Sequence, residues 1–540
     1  MLRTLPSLQS RKVSSLVVAC LLLFFLLLNA TSILHKTPTY DEFWHLEYGN
    51  KILKGDPGRE GDLRWDTKMP FSALNALVHF AGARDAEVSK VVPDPLLKIR
   101  VGTRLVTTVF AMALALIVFS WARCLYGIHG GLFALILYVL CPNIIAHSRL
   151  ATTDLYSAFV TTAALYAFWA FANRGGLARG FLSALALGVS QLAKYTCVLL
   201  FPLFLLILAV RCLPELRTLD VRSLSTRIGR LLLGAALFAL VSILVINVGF
   251  GFHAVNTPFG EHEFKSSFLR GAQERLPFLD EVPVPLPIPF LQGLDLGLYH
   301  ERTGRSFGPV YLLGELRAHG GFLGYYALAT LFKVPLPAQV FFLAALLSYA
   351  VRRRSHHFLK DEVFLLLPIA FFIVYFNVLF RAQIGIRHLL IYFPLVFVFC
   401  GSLLRSWGRF RPWAKGTVVG LLLFQAVSVL SYHPHYLSYF NEFVWDRTRS
   451  YRILADSNID WGQNQWYLHE YLEHDERAVF APRRPTAGRV IVSVNMLTGV
   501  REPRRYEWLR ENFEPSGTIA YSYLVFDIDP EELSRVAPDR

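Results

Sequence analysis

The chain has 540 residues, a formal net charge of +14, 54% hydrophobic residues and 17% charged ones. So little charge does not suit a soluble domain, and the apolar residues gather in runs near the ~20 that cross a bilayer; composition therefore points to a polytopic membrane protein. The excess of Arg and Lys is not a nucleic-acid footprint, because these residues sit between apolar runs in the positive-inside manner.

The first run, Val13 to Leu34, follows Arg11 and Lys12 and looks like a signal peptide. Leu27-Leu28-Asn29-Ala30-Thr31 offers no small-x-small cleavage site, so a retained helix is expected. Just beyond it lies Thr39-Tyr40-Asp41-Glu42-Phe43-Trp44-His45. Adjacent carboxylates at the mouth of a membrane segment are costly and tend to be kept for function or placed in water. Tyr40, Phe43 and Trp44 favour the headgroup level. The same residues also read as a helix start, with Thr39 as N-cap and Asp41 and Glu42 in the first turn. The two readings are compatible.

Further apolar spans are expected at 101–120, 130–146, 153–172, 180–194, 196–211, 229–250, 323–350, 363–380, 387–404 and 416–432, eleven in all with the first. The run 180–211 is read as two spans broken near Lys194-Tyr195. That split puts the Arg-bearing connections on one side, among them Arg217, Arg222, Arg227, Arg352, Arg353, Arg354, Arg405, Arg409, Arg411 and Lys415. It implies a cytoplasmic N-terminus and a C-terminus outside. The polar stretches then all fall on the outer face. The loop 35–100 carries the acidic pair and an amphipathic segment after Pro70, Phe71 to Phe80, suited to the interface. The loop 251–322 is long and Pro-rich, and loops of that length are usually functional or disordered.

From Tyr432 onward the chain turns polar. Gln465–His474 reads as a helix, Arg489–Met496 as a strand, Arg504–Asn512 as a helix and Thr518–Asp527 as a strand. The expected organisation is a transmembrane domain over 1–432 and a small C-terminal α/β domain outside the membrane over 433–540. The six cysteines lie in or beside apolar runs without metal-ligand spacing, so neither a disulfide framework nor a thiolate zinc site is expected. Asp456, Asn458 and Asp460 alternate like calcium ligands. An EF-hand loop, however, needs Gly sixth and Glu twelfth, and Trp461 stands sixth. An Asx-turn leading into the helix at Gln465 is preferred.

Eight polar residues fall at or near the outer ends of spans: Asp41, Glu42, Arg149, Asp154, Lys194, Lys333, Arg387 and His388. A single such residue is usually a snorkelling or capping side chain. Several of both signs on one face suit an anionic substrate with an acid/base group beside it. Lys binds phosphate as a point charge and Arg as a fork.

Tyr40-Asp41-Glu42, Arg149-Leu150-Ala151-Thr152-Thr153-Asp154, Lys194-Tyr195-Thr196 and Arg387-His388-Leu389-Leu390, in that order, resemble polytopic C-type glycosyltransferases. The resemblance is to the glycosyltransferase family 39 group, which includes protein O-mannosyltransferases, lipid A aminoarabinose transferases and their bacterial relatives. Tyr432 to Glu442 and Asp456 to Gln463 resemble the bacterial subgroup. The resemblance implies the C-type fold and the transfer of a sugar from a polyprenyl-phosphate carrier to an acceptor hydroxyl at the outer membrane face. It implies Asp41 and Glu42 as the catalytic pair and Asp154 as a second acidic position. Arg387 would lie near the donor phosphate. The positions of Lys194, Lys333, Arg149 and His388 at span ends make them further candidate substrate contacts, and Lys333 could instead simply pair with a carboxylate. The need for a divalent cation stays open, with Glu42 and Asp154 as candidate ligands. The partners implied are the lipid-linked donor, a protein, lipid or glycan acceptor and membrane lipids. Met69-Pro70 replaces the usual Pro-Pro pair, and the C-terminal domain is not that of eukaryotic O-mannosyltransferases; both departures leave the acceptor open. Neighbouring side chains diverge on a helix or strand, so one carboxylate, Asp41, is expected to act alone in an inverting single displacement. The rival readings are a secondary transporter or lipid flippase with an outer domain, and an assembly protein whose outer domain is the functional part.

Overall fold

The computed structural model describes residues 8–59, 67–81, 101–216, 221–304, 308–351 and 357–536. Arg217, Arg352, Arg353 and Arg354, which carry part of the charge argument, lie outside the described residues. α1 (Leu8–Leu34) is followed by α2 (Tyr40–Leu53) and α3 (Ser72–Ala81), the expected interfacial helix. α2 and α3 touch backbone to backbone, since a Cβ on Gly49 would fall 2.4 Å from the Ser72 carbonyl oxygen. α4 (Val101–Val139) covers one expected span and part of the next, and is interrupted at Gly127 (φ 86°), a conformation open to glycine.

α5 (Pro142–Ser148), α6 (Asp154–Arg174) and α7 (Leu177–Ser190) come next. The chain leaves helix over 191–194 before a 3₁₀ segment (Tyr195–Leu199) and α8 (Leu200–Leu216), so the run 180–211 is broken where expected. α9 (Val221–Gly249) leads into a long connecting segment holding α10 (Ser267–Arg275), α11 (Ile288–Thr303) and the hairpin of β1 (Val310–Leu312) and β2 (Glu315–Arg317).

The later spans depart from expectation. α12 (Tyr325–Lys333) and α13 (Leu336–Val351) meet at 115°, because Pro335 pushes Val334 out of helical geometry. α14 (Val363–Val374) ends in a π-helical turn, Tyr375–Leu379. The expected span 387–404 is 3₁₀ at both ends, with only α15 (Phe393–Cys400) between. α16 (Pro412–Leu430) is continuous. Among the described residues six helices are long and apolar enough to cross a membrane, or seven if α12 and α13 form one span. The other expected spans are shorter or broken.

After α16, α17 (Gln465–His474) matches expectation. β3 (Val479–Phe480) and β4 (Gly488–Ser493) come next. The strand expected to reach Met496 stops at Ser493, whose side chain caps α18 (Val494–Leu497). α19 (Glu507–Asn512) begins three residues later than expected. The strand expected at 518–527 is two, β5 (Gly517–Ile519) and β6 (Tyr523–Ile528), folded into a hairpin at Ala520 and Tyr521, both with positive φ. α20 (Pro530–Val536) follows. The sheet order is β3-β4-β6-β5. Alternation along the strands sends Val490, Val492, Leu524 and Phe526 into the same apolar core as the helices. Ile491, Tyr523 and Val525 face Leu468 of α17. The chain is thus an α-helical polytopic membrane protein whose small α/β segment is packed onto the helices.

Candidate functional site

The first turn of α2 divides the two carboxylates. Glu42 turns inward and is fully buried. Its oxygens accept from Arg104 Nε (2.9 Å) and Nη2 (2.7 Å), from the Ala151 N–H (2.9 Å) and from the Thr39 N–H (2.8 Å). Burial alone would raise its pKa, but Arg104 and these donors outweigh that and hold it below the usual carboxylate range. Arg104 also donates to the Lys36 and Thr37 carbonyl oxygens. Glu42 therefore ties the α1–α2 junction to α4 and to the loop before α6. In this conformation both Glu42 oxygens accept from protein donors, and Glu42 does not line the cavity that holds Asp41, in contrast to the expected catalytic pair.

Asp41 turns the other way, into a cavity of about 90 Å³ at the ends of the helices. The wall brings together five of the expected residues: Asp41, Asp154, Lys194, Arg387 and His388. Arg387 Nη1 lies 2.9 Å from Asp41 Oδ2 and 3.6 Å from Asp154 Oδ2. Lys194 Nζ donates to Asp154 Oδ1 at 2.6 Å. The guanidinium of Arg387 rests 4.1 Å from the Trp461 ring centroid, so the Asp456–Gln463 run forms the floor under it. Two buried nitrogens, Arg387 Nε and His388 Nε2, find no hydrogen-bond partner among the described residues. Such groups are costly in a protein interior.

Of the wall residues that the sequence reading did not single out, three bear on the chemistry. Lys68 stands just before Met69-Pro70, and His45 lies one turn after Asp41 on α2. His45 Nδ1 is 2.9 Å from Ser72 Oγ. Burial pushes the Asp41 carboxyl up, but Lys68 and then Arg387 outweigh it and hold it below its usual range. Burial and Lys68 hold the His45 imidazole well below its usual value. Arg59 fixes the backbone at Lys68, donating from Nη2 to the Lys68 carbonyl oxygen (2.8 Å) and the Tyr195 hydroxyl (2.9 Å). The third is Glu301, in the last turn of α11. The length of the outer loop was the only sign of it.

Two expected contacts lie elsewhere. Lys333 is fully buried outside the cavity, donating to the carbonyl oxygens of Leu437 (2.8 Å) and Asn458 (2.6 Å) beside the Phe440 ring. It joins α12 to the C-terminal segment. Arg149 is also buried away from the cavity. The carboxylates that could hold a metal have cationic partners here. Asp41 and Asp154 are engaged by Arg387 and Lys194, while Glu42 faces Arg104. Among the described residues no three or more His, Cys, Asp or Glu side chains are placed to hold an ion. The Asx-turn is present, with the Gly462 N–H donating to Asp460 Oδ1 at 3.0 Å.

A family profile described as dolichyl-phosphate-mannose-protein mannosyltransferase matches residues 98–246. No curated protein sequence matches. Among solved structures, ArnT from Cupriavidus metallidurans, bound to undecaprenyl phosphate, aligns over 96% of this chain and 98% of its own, with 11% identity and a TM-score of 0.48. The archaeal oligosaccharyltransferase AglB from Archaeoglobus fulgidus, in complex with an inhibitory peptide and a dolichol-phosphate, aligns over 89% of this chain and 62% of its own, with 15% identity and a TM-score of 0.45.

Proposed function

We propose that this protein is a membrane glycosyltransferase that takes a sugar from a polyprenyl-phosphate carrier and passes it to an acceptor hydroxyl on the extracytoplasmic face. The observation that carries the reading is Arg387, shared between Asp41 and Asp154 in a cavity that also holds Lys68 and Lys194. The carrier is too apolar to leave the bilayer, and its phosphate stays at headgroup level. Its site must combine cations for the phosphate with apolar walls for the lipid. The charges here cluster at helix ends and breaks rather than at mid-span, which favours an enzyme over a transporter. The match over residues 98–246 to mannosyltransferases adds support.

In this scheme Arg387, Lys68 and Lys194 hold the phosphate and stabilise it as it leaves. Phosphate oxygens draw Arg387 from Asp41, and Asp41 takes the proton of the attacking hydroxyl. Asp154 stays paired with Lys194 and is no nucleophile. A retaining pair of carboxyls would stand about 5 Å apart across one sugar, and Glu42, on the other face of α2, is not so placed. The reaction is therefore one inverting displacement. A general base contributes on the order of 10²–10⁴-fold in rate, so Asp41→Asn protein should bind donor and transfer it that much more slowly. NMR of the product should show the anomeric configuration inverted relative to the donor. Retention, or near-normal turnover by Asp41→Asn, rules the scheme out.

A further inference from the structure

The cavity wall holds one carboxyl that the scheme above does not use. Glu301 shares the wall with Asp41, Asp154, Lys68, Lys194 and Arg387. Asp41 and Asp154 each have a cation at ion-pair distance; Glu301 has none among the described residues. Instead its Oε2 accepts from the Tyr375 hydroxyl at 2.5 Å. The other titratable groups near enough to act on it electrostatically are Lys194 from the α7–α8 break, Tyr326 from α12 and His300 on its own helix. The Arg381 N–H donates to its main-chain carbonyl oxygen (3.0 Å), and His45 and His388 complete the polar wall.

Charge then distinguishes the two forms of Glu301. With the imidazoles uncharged, Lys68, Lys194 and Arg387 face the carboxylates of Asp41 and Asp154, a surplus of one positive charge. A phosphodiester carries one negative charge and matches that surplus. Ionised Glu301 cancels the surplus before the phosphate arrives. A neutral carboxyl instead offers an O–H donor to a phosphate oxygen.

We propose that Glu301 is a donor-binding residue that acts as the neutral acid, giving its O–H to the carrier's phosphodiester, so that the site is complete only while Glu301 is protonated. The proposal rests on the carrier-phosphate reading above. Burial pushes the Glu301 carboxyl up to about 7, with the Tyr375 hydrogen bond, Lys194 and His300 partly opposing. The carboxyl is lost as a donor when pH rises through that value. Donor affinity therefore falls as pH rises, by up to about tenfold per pH unit for one linked proton.

The test measures binding of undecaprenyl methyl phosphate, a diester of fixed charge, to the purified full-length protein from about pH 7 to about pH 8.5. Asp456, which faces Arg387 from outside the cavity, is pushed up by burial only to about 6 and is already ionised in this window. Wild type should lose affinity across the window. Glu301→Gln keeps a neutral donor at the same place and should bind with no pH dependence there. Tyr375→Phe removes a bond that favours the carboxylate and should move the wild-type fall to higher pH. Flat binding by wild type, or a parallel fall in wild type and Glu301→Gln, overturns the proposal. Absence of diester binding at every pH overturns the carrier-phosphate reading and this proposal with it.

Discussion

Removing the Glu42 carboxylate should destabilise the packing of α2 against α4 rather than slow the chemistry. Glu42 and Arg104 are 0% and 3% exposed at the side chain and are joined by two charge-assisted hydrogen bonds. Two main-chain N–H groups, of Thr39 and Ala151, depend on the same carboxylate. Glu42→Ala leaves the buried guanidinium without its counter-ion, with only the Lys36 and Thr37 carbonyl oxygens to accept from it, and leaves both N–H groups without an acceptor. Breaking one partner of a buried pair costs roughly 3–5 kcal/mol, a factor of roughly 10²–10⁴ in the folded population. The assay is denaturant or thermal unfolding of the protein in detergent, with Arg104→Ala alongside and a Glu42→Gln/Arg104→Met double variant to close the cycle. The double variant should recover part of the loss. Because the folded Glu42 carboxyl is held below its unfolded value, its contribution is present above the ordinary carboxylate range. It is lost as pH falls through the lowered value, and Glu42→Gln should lose that acid dependence. A Glu42→Ala protein of wild-type stability that fails only in turnover would refute the reasoning and return Glu42 to the active site.

Arg387→Ala should weaken donor binding by roughly 2–5 kcal/mol, and Arg387→Lys by less; equal, undiminished affinity in both removes Arg387 from the phosphate site. Lys333→Met should leave two carbonyl oxygens without their donor. Limited proteolysis of that variant should cut between α16 and α17 faster than in wild type, while its donor KM changes less than that of Arg387→Ala. A reporter fused after Arg540 should sit on the outer face and one near Arg353 in the cytoplasm; the same side for both contradicts the topology.

Local signals made much of the fold legible. Thr39 as helix start, the short helix after Pro70, the break at Lys194 and the helix from Gln465 all rest on residues within a few positions of one another. What failed depended on distant partners or backbone detail. Adjacent carboxylates look alike in sequence, and only Arg104, 62 residues on, shows that Glu42 faces the core. Nothing in the residues around Lys68 marks it, because its nearness to Asp41 is tertiary. Lys333 carries the charge that suggested phosphate, but its acceptors lie 104 and 125 residues away. Hydropathy averages over Pro335 and over the 3₁₀ turns around α15, so it does not reveal where those expected spans bend or break.

The central claim is that the Asp41–Arg387 cavity turns over a lipid-phosphate sugar. The direct measurement is release of undecaprenyl phosphate from a panel of undecaprenyl-phosphate sugars by purified wild-type protein in the presence of lipid, glycan and peptide acceptors. The account predicts release with at least one donor, dependent on acceptor and reduced by roughly 10²–10⁴-fold in Asp41→Asn. Tight binding of the donors with no release under any acceptor, or movement of the intact lipid-linked sugar across a bilayer instead, would contradict it.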